Sequence, residues 1–152
     1  MQQTIRIILT VLFSIVTCGL VLVALAVARS SWLILGQMYL PSYAALSVAD
    51  KGLILLGGVV GLGFLIYSLE MFLTSETPIA VLHQFTRLTA PVLWVLGTSH
   101  LINALSAMKV GARGAALFYL PIGELLLGVG LYYLRHKVLV AKVTLEESPN
   151  LS

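Results

Sequence analysis

Long apolar runs alternate with short polar breaks along this chain, and the runs exceed what a water-soluble core helix needs. A helix crossing the hydrocarbon core of a bilayer takes about 20 mostly apolar residues. Stretches of that kind run from Ile7 to Ala28, Gly52 to Leu73, Leu88 to Met108 and Gly114 to Leu134. They predict an all-α, polytopic membrane protein, a four-transmembrane-helix bundle that forms a single transmembrane domain over residues 1–152. An interfacial helix is expected in the first loop, over residues 30–49, and a polar tail over residues 138–152.

The polar breaks set the boundaries. Arg6 and Arg29 flank the first run and stand 23 residues apart, which is about 34 Å of helix at 1.5 Å per residue and matches a bilayer. Ala26-Val27-Ala28 has the small-x-small form of a signal-peptide cleavage site. Against cleavage, the run is longer than the roughly 7 to 15 residues of a signal core, so the first span is expected to be retained. Asp50 is placed to cap the second span, which carries no charge until Glu70. Thr77-Pro78 reads as an N-cap followed by proline at the first helical position. That leaves a short connection and makes spans two and three antiparallel neighbours. The third helix, Pro78 to Met108, would be about 46 Å long. Its opening stretch holds His83, Gln84 and Arg87 and belongs at the interface, with Pro91 permitting a kink beyond it. The fourth span contains Pro121 and Glu124 and ends on Arg135-His136-Lys137. Ser30 to Ala49 lacks charge but carries Gln37, Pro41, Trp32, Tyr39 and Tyr43, which suit the headgroup region. Hydropathy also admits a fifth crossing there.

Composition agrees with membrane burial. Of 152 residues, 59% are hydrophobic and 10% charged, and the mean hydropathy is +1.02; a soluble domain of this size cannot hide that much apolar surface. The net charge of +3 comes from basic residues scattered at helix ends, a pattern that suits anionic headgroups rather than nucleic acid. The expected partners are therefore the lipid bilayer and other membrane protein subunits or a second copy. Cys18 is the only cysteine, which excludes an internal disulfide and any paired-cysteine metal or redox motif. With four spans, Arg6, Arg87, Arg135, Lys137 and Lys142 share one side and Arg29, Lys51, Lys109 and Arg113 the other. The bias favours both termini in the cytoplasm, in a plasma or inner membrane.

Polar residues inside the apolar runs are the candidates for chemistry. Ser99, Asn103 and Ser106 share one face of the third helix with Thr89, and this face should point into the bundle. Beside it runs a row of mostly small residues, Leu93, Gly97, Ala104 and Ala107, around His100. Glu124 lies within the fourth span, where an ionisable group is costly unless protonated, paired or hydrated. Counted from the third loop, His100 is about 12 Å deep and Glu124 about 18 Å. Ser99, His100, Asn103 and Glu124 thus form an expected intramembrane polar cluster, either a structural clasp or a proton or ligand site. Gly57 and Gly61 make a GxxxG step extended by Ser68, and Gly123 and Gly130 a comparable row with Ala112 and Ala116; both suit close helix packing.

A haem between two histidines needs a second histidine at the depth of His100, and His83 and His136 lie near the opposite face. With Glu70 or Glu76 those two raise a surface metal site, but the spacing matches no metal motif. No cofactor, metal or catalytic residue is expected, since no phosphate loop, HExxH helix, nucleophile elbow or paired-carboxylate arrangement occurs. The expectation is an accessory or assembly subunit of a larger membrane complex. The alternative is an oligomeric small-solute or proton-coupled transporter that uses Glu124 and His100.

Overall fold

A computed structural model describes residues 2–40, 42–109, 111 and 114–139, the last two by backbone alone. It contains α1 (Gln2–Tyr39), α2 (Tyr43–Leu73), α3 (Pro78–Lys109) and α4 (Ala116–Leu134), the last continued by a π-helical turn over Arg135–Leu139. All four α-helices are long and apolar enough to cross a membrane, and the chain is a transmembrane four-helix bundle.

Helix ends follow local chemistry. The side chain of Ser42 accepts a hydrogen bond from the Ala45 amide at 3.2 Å and so caps α2. Thr77 does the same for α3, accepting from the Ala80 amide at 3.1 Å, with Pro78 in the first helical position. At the other end of α2 the Thr74 amide donates to the Glu70 carbonyl at 2.9 Å. After α3, Gly111 takes a positive φ of 95°, a conformation with no steric cost for glycine.

Two expectations about the first loop are corrected. Ser30 to Ala49 is no separate interfacial helix: residues 30–39 continue α1, residues 43–49 open α2, and the chain reverses between them. The serine pair does not end α1: the Ser30 hydroxyl donates back to the Val27 carbonyl at 2.8 Å and Ser31 Oγ lies 3.0 Å from the same carbonyl, so both side chains fold back along the helix and leave the backbone ladder intact. Asp50 consequently lies inside α2 and does not cap it. Over 38 residues, α1 extends to about 57 Å.

The helices are ordered α2, α1, α3, α4. α1 packs on α2 and α3, and α3 on α4, while α4 touches neither α1 nor α2 among the described residues. α2 meets α3 sparsely, chiefly where Phe72 is enclosed with Val81 and Leu88 near their shared connection. Phe13 of α1 stacks on Phe85 of α3 beside them, with ring centroids 4.2 Å apart. A second core joins Val21 and Ala24 of α1 to Val92 and Leu96 of α3. α3, covered on two sides, is the most buried helix. That position accounts for its polar content, since protein and not lipid surrounds Thr86, Thr89 and Ser99.

Lipid tails are as apolar as leucine, so close packing holds these helices together and backbone approach matters. A Cβ at Gly61 would stand 2.6 Å from Leu25 Cδ1, and one at Gly57 would make ordinary contact with Leu25 Cδ2 at 3.7 Å. Gly63 faces open space.

Candidate functional site

Glu124 projects from the middle of α4 toward α3, and its Oε2 lies 2.7 Å from His100 Nδ1. The side chains are 13% and 22% exposed, so protein surrounds most of the pair and lipid contact is slight. One proton on this axis satisfies both groups. Either the imidazole N–H donates to the carboxylate, or the carboxylic acid donates to the bare ring nitrogen. A pair of this kind lowers the cost of an ionisable group inside a membrane helix, and it can also pass a proton.

α1 meets α3 next to this pair. The Ser31 hydroxyl donates to the Ser99 carbonyl at 2.8 Å, and Asn103 Nδ2 donates to Ser30 Oγ at 3.3 Å. Both Ser31 and Ser99 are buried. Asn103 thus reaches α1 and leaves Glu124 to His100, while its Oδ1 is buried without a partner.

α2 joins through charge. Arg29 Nε and Nη2 donate to the two carboxylate oxygens of Asp50, at 2.9 and 2.8 Å. This forked pairing matches a planar guanidinium to a planar carboxylate. Because Arg29, Ser30 and Ser31 are consecutive, as are Ser99 and His100, these contacts lie at one level. A polar layer therefore crosses all four helices, from Asp50 through Arg29–Ser31 and Ser99–Asn103 to Glu124. Apart from the bond from Arg6 to the Ser75 carbonyl, it holds every side-chain hydrogen bond between different helices among the described residues. The sequence assigns Arg29 and Asp50 to span boundaries and Ser30 and Ser31 to the first loop, so none of the four is expected in the polar cluster. Their pattern carried one signal, an arginine and an aspartate facing each other across a single connection.

The glycine expected at the packing surfaces differs on α4. A Cβ at Gly123 or Gly130 meets nothing within 4 Å, so these two lie on the outer face. Gly128 is the close-approach position, where a Cβ would stand 2.6 Å from the Trp94 ring and 3.3 Å from the Ala90 carbonyl. Gly97 answers from α3, where a Cβ would come 2.7 Å from Leu125 Cγ and 3.1 Å from the Pro121 carbonyl. Helical rotation of about 100° per residue gives the reason: Gly128 is one turn from Glu124 and shares its inward face, whereas Gly123 and Gly130 are turned well away. Ala112 lies outside the described residues.

The π-turn that carries His136 packs on α3, which carries His83, but neither Glu70 nor Glu76 joins these histidines in a group able to hold a metal among the described residues. Comparison with protein-family models, with curated proteins and with solved structures gave no match to this chain.

Proposed function

We propose that this protein is an accessory or assembly subunit of a larger membrane complex, in a plasma or inner membrane with both termini in the cytoplasm. The observation that carries the reading is the open order of the helices. α2 and α4 each pack chiefly on one neighbour, and their outer faces present Gly58, Gly63, Gly123 and Gly130 with nothing against them. Small residues on a free membrane helix face allow another helix to approach closely. The connection over residues 74–77 leaves no room for an extramembrane catalytic domain between α2 and α3. Isolation from native membranes in mild detergent tests the reading: other membrane proteins should copurify in fixed ratio, and a monodisperse monomer with no companion would refute it.

A second reading, a proton-coupled or small-solute transporter acting as an oligomer, is favoured by the His100–Glu124 contact alone. One chain offers such a pathway little support. The crevice between α1, α2 and α3, of about 260 Å³, is lined by Val21, Ala24, Val60, Phe64, Val92 and neighbouring apolar residues. A homo-oligomer whose proton flux in vesicles disappears in Glu124→Gln would decide for it.

A further inference from the structure

We infer that the basic cluster where α3 and the end of α4 meet, His83 with Arg87, Arg135 and His136, is a binding site for the phosphate headgroup of an anionic glycerophospholipid. His83 and Arg87 are one helical turn apart on α3 and share a face. Arg135 and His136 open the π-helical turn, which packs against α3, and both lie within electrostatic reach of His83, as Arg87 does. Lys137 follows on the same turn.

The charge here is uncompensated. The ion pairs among the described residues are Arg29–Asp50 and His100–Glu124, so no described carboxylate neutralises Arg87 or Arg135. The carbonyl end of α4 offsets a fraction of one charge, against the full charges of Arg87, Arg135 and Lys137. Arg135 Nε is buried with no acceptor among the described residues, so its guanidinium is not tied up by a partner within the bundle. The wide π-turn that presents it is a form of helix frequent at functional sites.

The surroundings select a lipid over a soluble anion. His136 lies against Tyr132 with ring centroids 4.5 Å apart, and Tyr132 against Trp94 at 6.0 Å. Trp94 and Tyr132 are both substantially exposed. This row leads from the basic cluster along the α3–α4 groove toward the apolar mid-helix. Amphipathic rings concentrate at the headgroup boundary, and here they line the path an acyl chain takes once its phosphate is held.

Lipid selection by the purified full chain tests the site. The protein in mixed micelles holding equal phosphatidylglycerol and phosphatidylcholine is analysed by native mass spectrometry. Phosphatidylglycerol should be retained preferentially, and Arg87→Gln, at an exposed position, should cut that preference about fivefold, the factor one basic residue near an anionic surface supplies. His136→Gln should reduce it less. Lys51→Gln, at the opposite end, should leave it unchanged, and excess inorganic phosphate should not displace the lipid. Equal retention of both lipids, a preference unaltered by Arg87→Gln, an equal loss in Lys51→Gln, or displacement by inorganic phosphate would each overturn the assignment.

Discussion

His100 Nδ1 and Glu124 Oε2 stand 2.7 Å apart and join α3 to α4 through a contact that protein encloses on most sides. Glu124→Gln preserves a hydrogen-bonding head of the same shape but cannot titrate, so thermal stability in detergent should change little. Glu124→Leu leaves His100 without its partner and should cost about 1 kcal/mol, the scale of polar contacts between membrane helices. A pair that serves only as a clasp tolerates glutamine in every assay, whereas a proton path fails with it. Stability lost equally with glutamine and leucine would show that charge, and not the hydrogen bond, holds the helices.

Arg29 and Asp50 tie α1 to α2 through two hydrogen bonds, and the rest of the attachment of α2 is apolar packing, mainly on α1. Asp50→Asn should lower the melting temperature by leaving the arginine without its counter-charge. Arg29→Gln combined with Asp50→Asn should recover part of the loss, because no unpaired charge remains. The pair is partly exposed, so the difference between single and double variants should shrink as salt rises in detergent solution. Strict additivity of the two substitutions would show that the pair contributes nothing.

Much of this architecture is legible in the chain because bilayer thickness acts on it as a ruler. The end of α2 and the start of α3 can be read from Leu73 and Thr77-Pro78, since capping and proline are local effects. The end of α1 cannot, because Ser30 and Ser31 look like a polar break until their hydroxyls are seen to fold back onto Val27. His100 and Glu124 could be brought to similar depth by counting from their common loop. The partner of Asn103 could not, as Ser30 lies 73 residues away on a helix whose rotation no local signal fixes. The order α2, α1, α3, α4 was equally hidden, since short connections fix which helices are antiparallel but not which of them pack.

Orientation rests on charge alone and is tested separately. A reporter fused to the carboxyl terminus should be active in the cytoplasm, given Arg135, Lys137 and Lys142 on that side. An external reporter would reverse the assignment of both termini while leaving the packing of the four helices untouched.

The glycines provide the sharpest test of the helix faces. Gly61→Leu must displace Leu25, because even a Cβ there would lie 2.6 Å from its Cδ1, whereas Gly63→Leu enters open space. Gly128→Leu drives into the Trp94 ring and the Ala90 carbonyl, and the carbonyl cannot rotate away; Gly130→Leu on the same helix meets nothing. Overpacking of this kind typically costs about 1 to 3 kcal/mol, so Gly61→Leu and Gly128→Leu should each melt well below the parent in detergent. Gly63→Leu and Gly130→Leu should match the parent as isolated chains, and replacing glycine within a helix adds a small gain in propensity. The outer-face position separates fold from assembly. If α4 docks a partner helix through its bare face, Gly130→Leu keeps the melting temperature of the free subunit yet loses the companion proteins on copurification. A Gly130→Leu chain that remains in the complex would leave α4 facing lipid and move the docking surface to α2, where Gly58 and Gly63 become the positions to test.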